Sequence, residues 1–351
     1  MIMSNDVAPG GWAGEGTLVD LQQLGWGIVG PGRIAATQIA PAIAAAPNST
    51  LISVVSRDLG RATEFAKAHG AAQALDSYPD MLADPAVQAV YIATPNALHA
   101  GQVIAAAGAG KHVLCDKPLA VTVPDARRCV EECRAAGVRL GLTFQTRRHD
   151  GLAEAAGLVR SGAIGQVVVA EVQMSGGRNL PGGWRTDPAL AGLGTINNIG
   201  VHAFDLLRYL IGAEVTEVTA LVDAEPGFEV DTTALVLLRF STGTLAYVNA
   251  NQSVPYARDD IVLYGTEGRV LGRNLSRPGR DGTLSISTAA GIRDIPASTR
   301  DAYRHTVAAF ADAVLDGRDP SPSGEDGLRS VELTAAIAQA IEQRRVVLVG
   351  G

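Results

Sequence analysis

Apolar and polar positions change rhythm once along the chain, near residue 146. Up to that point short apolar runs at 25–29, 51–55, 87–93 and 112–115 alternate with helical stretches at 34–46, 60–69 and one ending at Gly110. Runs that are apolar throughout suit strands covered on both faces, and their alternation with helices predicts a parallel α/β sheet. Pro41 predicts a kink within the first helix. Beyond residue 146 a helix at 150–161 is followed by β-rich runs at 166–172, 217–222, 233–240, 244–250 and 260–264. An amphipathic helix at 203–210 interrupts them, and helices at 303–315 and 325–344 with a strand-like 345–349 close the chain. Ser241-Thr242-Gly243 is a hairpin signal, so the second sheet is expected to be open and largely antiparallel. The pattern divides the chain into a leader at 1–22, expected to be flexible, an α/β domain at 23–145 and a second α/β domain at 146–351.

The junction between the first run and its helix carries the most specific pattern. Gly30-Pro31-Gly32-Arg33-Ile34-Ala35 is a G-x-G-x-x-A turn, preceded by a strand and followed, one helix later, by another. Gly30 permits the sharp turn, Gly32 removes the side chain where a pyrophosphate approaches, and Ala35 keeps helix and sheet close. The helix start adds unpaired N–H groups and partial positive charge. The first domain therefore reads as a Rossmann dinucleotide-binding fold.

In such a unit the tip of the second strand faces the adenosine ribose, where an acidic residue selects the free 2′-hydroxyl of NAD. Ser56 and Arg57 stand there instead, with Arg61 one helical turn on, and suit a 2′-phosphate. NADP(H) is thus expected to be preferred, with NAD(H) also possible; solvated surface arginine is the alternative, since Asp58 adjoins. Further polar groups end the later strands: Thr94-Pro95-Asn96 with His99, and Asp116-Lys117-Pro118. Ligands of open α/β sheets bind at that edge.

Composition narrows the classes. With 47% hydrophobic and 19% charged residues over 351 positions, the chain has enough apolar content for two cores. A net charge of -7 gives no footprint for nucleic acid or an anionic membrane. No stretch approaches ~20 uninterrupted apolar residues, so no membrane span is expected. Three cysteines without metal-ligand spacing point to no metal and to a reducing, cytoplasmic compartment.

The glycine turn, the Thr94–His99 and Lys117 groups, and Gly200-Val201-His202 occur in the order found in the Gfo/Idh/MocA oxidoreductases, which the chain resembles from about residue 24 to its end. The resemblance implies an NAD(P)-dependent dehydrogenase or reductase acting on CH–OH groups of a sugar, polyol or related cyclic alcohol. It places Lys117 beside the nicotinamide and the reacting oxygen, and sets Thr94, Asn96, His99, Asp116 and Gln145 along the cofactor. It implies a homodimer or homotetramer through the free face of the second sheet. Asp116 shortens the family's usual glutamate.

The main departure is Asn198, where the family pattern carries aspartate, four residues before His202. An amide positions a hydroxyl but neither takes its proton nor stabilises imidazolium by charge. His202, with an unperturbed pKa near ~6.5, is expected to exchange the hydroxyl proton while Lys117 stabilises the oxygen. Arg147, Arg148, Trp184 and Arg185 are candidate walls of the substrate cleft, with surface or packing roles as the alternative. A catalytically weak cofactor-binding regulator, motivated by Asn198, and an NAD-retaining redox-neutral glycosidase are the competing functions.

Overall fold

The computed structural model describes residues 23–175, 177–275 and 281–350; the expected leader lies outside them. Six parallel strands make the first sheet: β1 (Leu24–Val29), β2 (Ser49–Val55), β3 (Gln73–Leu75), β4 (Ala89–Ile92), β5 (His112–Cys115) and β6 (Leu140–Leu142). Their order is β3-β2-β1-β4-β5-β6. The chain leaves β1 on one side towards β2 and returns on the other at β4, so a crevice opens beyond the C-terminal ends of these strands. β1 and β4 are buried at every position, as apolar runs covered on both faces must be.

Helices α1 (Ala40–Ala45), α2 (Leu59–His69), α3 (Tyr78–Ala83), α4 (His99–Gly108) and α5 (Val123–Ala135) cover this sheet. The irregularity expected at Pro41 is a change of helix type. Ala35–Ile39 forms a π-type turn that runs without a break into α1, and Pro41, which has no N–H to donate, follows it at the second position of α1.

The second half begins with α6 (Leu152–Arg160) and a nine-stranded sheet: β7 (Val167–Ser175), β8 (Val215–Asp223), β9 (Thr233–Phe240), β10 (Leu245–Asn251), β11 (Asp260–Gly265), β12 (Gly268–Arg273), β13 (Thr283–Thr288), β14 (Gly291–Ile295) and β15 (Val347–Leu348). The order is β14-β13-β12-β11-β7-β10-β9-β8-β15, antiparallel throughout except where β7 meets β10. The hairpin between β9 and β10 turns at Gly243, whose φ of 86° only glycine adopts readily. Strands β3, β6 and β12 to β14 were not expected. Four of the five residues of β14 are exposed, so it presents little apolar rhythm to read.

Along β9 burial alternates, with Ala234, Val236 and Leu238 inward and Leu235 and Leu237 outward. The inner face packs against α6, α8 (Val201–Ile211) and α10 (Gly324–Gln343). A short α7 (Pro188–Ala191) precedes α8, and α9 (Ala302–Leu315) returns to the first sheet. There Tyr303, Val307 and Phe310 join Trp26, Ile39 and Ile43 in one core. The Phe310 ring lies 5.4 Å from that of Trp26, and burial of such a side chain contributes roughly 1.5–3 kcal/mol. Helix α10 touches both halves, through Leu328 and Val331 on one side and Leu333 and Ile337 on the other. The two sheets are thereby fixed with the crevice between them.

Candidate active site

The glycine turn supplies one wall. Gly30 has φ 86°, and the Gly32 N–H donates to its carbonyl at 2.8 Å. A Cβ on Gly30 would stand 3.0 Å from the Ala93 carbonyl oxygen, whereas one on Gly32 would meet only that oxygen, at 3.9 Å. The backbone at Gly32 is therefore open to the cleft. With the π-type turn starting at buried Ala35 behind it, this is a cradle that fits a dinucleotide pyrophosphate. At the end of β2, Arg57 and Arg61 are exposed and meet no carboxylate among the described residues. Asp58 is occupied as the cap of α2, accepting the Arg61 N–H at 3.1 Å, while Ser56 Oγ accepts the Asp58 N–H at 3.2 Å.

A cavity of about 480 Å³ runs from that cradle to the second sheet. Gly32, Arg33, Ile34, Thr94, Asn96, Asp116, Lys117 and Gln145 line it from the first half, and Trp184, Arg185, Asn198 and His202 from the second. Strand ends position the first group, since Thr94 follows β4 and Asp116 and Lys117 follow β5. The second group rides on a loop, on α8 and on the π-type turn Ile196–Gly200 that opens directly into it. Such turns widen the helix locally and turn backbone carbonyls outward.

Those carbonyls hold the lysine. Lys117 Nζ donates to the Asn198 carbonyl at 2.8 Å and lies 3.4 Å from that of Asn197, so the ammonium of one half is seated on the backbone of the other. Burial brings the Lys117 pKa down to about 8, against a partly offsetting pull from Asp116. The Asp116 carboxylate accepts the Lys117 N–H at 2.9 Å. Asn96 and Asn197 both donate to the Ala191 carbonyl, at 2.9 and 3.0 Å, tying the halves together again at the cavity edge. Arg185 stacks 4.3 Å over the Trp184 ring.

His202 departs from expectation in its proton affinity. Burial, and then the Lys117 charge, hold its pKa well below 6.5, and its Nδ1 is buried without a partner. The imidazole is therefore neutral near pH 7. With Asn198 in place of a carboxylate, nothing beside it among the described residues favours the charged form.

Other candidates stand elsewhere. His99 does not reach the cavity: its ring nitrogens lie 2.7 Å from the Pro118 carbonyl and 3.0 Å from that of Thr94, joining the two strand-end loops from beneath. Arg147 does not wall the cavity either. Its guanidinium is held by Asp205, at 2.8 and 2.5 Å, and by Asp326 at 2.8 Å. Burial alone would lower its pKa, but these carboxylates hold it above the ordinary range. It borders a separate hollow of about 340 Å³ together with Arg148, whose Nη2 donates to the Ser321 carbonyl at 2.5 Å. In the other direction, Gln38, Met174, Asn197, Gln252 and Tyr303 line the main cavity without having been singled out. Tyr303 opens the helix expected at 303–315, to which no site residue was assigned, and only the return of α9 to the first sheet brings it there.

Two α/β halves, a pyrophosphate cradle and a lysine and histidine facing one cavity define a dinucleotide-dependent enzyme. Residues 24–144 match the model of the oxidoreductase family with NAD-binding Rossmann fold, and residues 152–271 match the GFO/IDH/MocA C-terminal domain. The chain belongs to the Gfo/Idh/MocA family and is a nicotinamide-dependent oxidoreductase of the CH–OH-acting type. It is 34% identical over 323 residues to the 1,5-anhydro-D-fructose reductase of Ensifer adhaerens, covering 90% of this chain and 95% of that one. It is 30% identical over 333 residues to the myo-inositol 2-dehydrogenase of Thermotoga maritima, covering 92% and 97%. The crystal structure of aldose-aldose oxidoreductase from Caulobacter crescentus, complexed with glycerol, aligns with a TM-score of 0.87 and 28% identity over 93% of this chain and 100% of that one. Among the described residues no helix is long and apolar enough to cross a membrane.

Proposed function

We propose that the protein interconverts a secondary alcohol and a ketone on a sugar, polyol or related cyclic alcohol, with NADP(H) preferred to NAD(H). The observation that carries this reading is the Lys117 ammonium, reaching across to the Asn198 carbonyl at 2.8 Å beside His202, in the same cavity as the Gly32 backbone. The names of the relatives support the substrate class, each being a sugar or inositol oxidoreductase.

Gly30, Gly32, Arg33 and Ile34 would hold the cofactor phosphates, and Thr94, Asn96, Asp116 and Gln145 would line its path. When bound, the nicotinamide takes up or supplies the hydride of the carbinol carbon. In reduction Lys117 gives a proton to the carbonyl oxygen as negative charge develops there; in oxidation its neutral amine takes the hydroxyl proton. A pKa of about 8 keeps the group mostly charged at neutrality and within reach of exchange, the range that suits acid–base catalysis. In this reading the exchange is assigned to Lys117 in place of His202, whose pKa is held well below 6.5 by burial and the Lys117 charge. Neutral His202 instead accepts a hydrogen bond from a substrate hydroxyl, and the Asn198 amide orients a second. Trp184 and Arg185 wall the substrate end.

The test is initial-rate measurement with a panel of sugars, anhydrosugars and inositols, following absorbance of the reduced nicotinamide. Turnover with a member supports the reading; none with any member overturns it. Cofactor preference rests on Ser56 and on the unpaired Arg57 and Arg61. Arg57→Ala is expected to weaken NADP binding about tenfold and leave NAD binding unchanged. Equal affinity of the parent protein for both cofactors refutes the preference.

The outward face of the second sheet supports a homo-oligomer. It exposes Leu221, Leu235, Leu237, Leu245 and Tyr264, with Leu221 77% exposed. A sheet face that exposes several large apolar side chains is suited to covering by a second copy, and light scattering coupled to size exclusion tests it. Three buried, unpaired cysteines support a reducing, cytoplasmic compartment.

A further inference from the structure

The lysine is placed by a backbone turn, and that turn is itself held by a buried carboxylate that no sequence motif singled out. Asp231 lies in the connection between β8 and β9, 9% exposed. Its Oδ1 accepts the Gly194 N–H at 2.6 Å and its Oδ2 accepts the Ile196 N–H at 2.9 Å. Its main-chain carbonyl accepts the Thr195 N–H at 2.7 Å. Three successive amides are thus gathered on one residue. The approach is close enough that a Cβ on Gly194 would collide with the Asp231 carbonyl oxygen, so only glycine fits at that position.

From there the chain runs straight into the reaction centre. The Gly194 carbonyl accepts the Asn198 N–H at 3.0 Å, and the π-type turn Ile196–Gly200 begins at the residue whose amide Asp231 holds. The turn presents the Asn197 and Asn198 carbonyls to Lys117 and then enters α8, which carries His202. We propose that Asp231 is a positioning residue of the reaction centre: by clamping the amides of Gly194 and Ile196 it fixes the turn whose carbonyls locate the Lys117 ammonium. Asp231 does not touch substrate and does not substitute for the missing aspartate at 198, because both its oxygens are committed to backbone amides. A carboxylate is required, since a single residue must accept two N–H bonds through its side chain. An amide in its place would turn an N–H donor towards one of them.

This inference rests on the reading of Lys117 as the proton-exchanging group, and its test separates the two. The variant is Asp231→Asn, with two readouts. The first is the rate at which an amine-acylating reagent modifies Lys117, read by peptide mass spectrometry from neutral to alkaline pH, which needs no turnover. In the parent protein Lys117 is expected to titrate at about 8; in Asp231→Asn the loosened turn is expected to admit water and the value to move towards 10.5, while Asp116, Arg185 and His202, which face the same group, are unaltered. The second is kcat, expected to fall about 100-fold with an unchanged dissociation constant for the cofactor, as displacement of a reacting group by ~1 Å does. Lys117 labelling and kcat both unchanged, or a fall in the Lys117 value, overturn the proposal. If the parent protein turned over no substrate, the functional reading would fail while the labelling still decided this one. Should Asp231→Asn not accumulate as folded protein, Asp231→Glu, which keeps the charge on a longer arm, is measured with the same two readouts and the same criteria.

Discussion

Two regions of the protein bring cationic side chains inside, and they are completed in opposite ways. Beneath α8, Arg147 and Arg208 are matched by Asp205, Asp326 and Glu214, with every guanidinium contacting at least two carboxylates. In the main cavity Lys117 and Arg185 share, among the described residues, Asp116 alone as a nearby carboxylate, and Lys117 rests on neutral carbonyls. A saturated cluster has no capacity left for a ligand and acts on stability. An unsaturated one holds its charge at some expense, and releases that expense when a ligand bearing negative charge, or an oxygen developing it, arrives. Asp205 and His202 make the contrast sharp, since they sit three positions apart on the same helix and serve different clusters.

The largest expected effect follows from deleting the unsaturated cation. Lys117→Met should lower kcat/KM about 1000-fold or more with little change in cofactor affinity, measured by initial rates and fluorescence titration. The same variant should be no less stable than the parent, with a higher melting temperature at neutral pH. The sign follows from linkage. The folded-state pKa of about 8 lies below the ordinary 10.5, so between these values the unfolded chain binds more protons and stability rises with pH. At neutral pH the buried charge is therefore a destabilising element, and its removal also flattens the rise. A parent-like rate would exclude the lysine from the chemistry.

The saturated cluster should respond in reverse. Arg147→Met leaves Asp205, 1% exposed, without its bidentate partner and should reduce stability by about 3–5 kcal/mol, read as a lower urea midpoint. The kcat of the protein that remains folded should stay close to parental. A large loss of kcat with an unchanged midpoint would mean that Arg147 belongs to the reaction centre after all.

These two arginine and lysine sites also show what the sequence could and could not reveal. The placement of Lys117 in the cavity was legible because its signal is local: an apolar strand ends, a polar group follows, and that edge of a parallel sheet is where ligands bind. The glycine turn was legible for the same reason, as backbone geometry written in consecutive residues. Arg147 sits just beyond β6 and looks equally well placed, yet its role is decided by Asp205 and Asp326, 58 and 179 positions away. His99 was misplaced similarly, because the Pro118 carbonyl that engages it arrives from a different strand end. Tyr303 and Asp231 carried no local signal at all. Each acquires its position from a long-range packing event: the return of α9 to the first sheet, and the descent of the β8–β9 connection onto Gly194.

The smallest effect is the most discriminating for the comparison, because it adds a carboxylate to the unsaturated cavity and removes no charge, exchanging only the Asn198 amide. Asn198→Asp places a negative charge on the turn that seats Lys117 and four residues before His202. An opposite charge within a few ångströms favours the protonated form of both groups, so the Lys117 value should rise above about 8 and that of His202 should rise from well below 6.5. In the reducing direction the rate depends on the ammonium and falls as pH rises through its pKa. The alkaline limb of the kcat/KM profile should therefore move upward, by roughly one pH unit for a pair in a partly solvated cleft. If His202 were the proton-exchanging group, the principal change would instead be a limb appearing on the acid side of neutrality, as an imidazole that had been neutral throughout began to titrate. A profile displaced only on its alkaline side assigns the proton to the lysine; one displaced only on its acid side assigns it to the histidine and returns the cavity to the mechanism in which the lysine merely stabilises the oxygen.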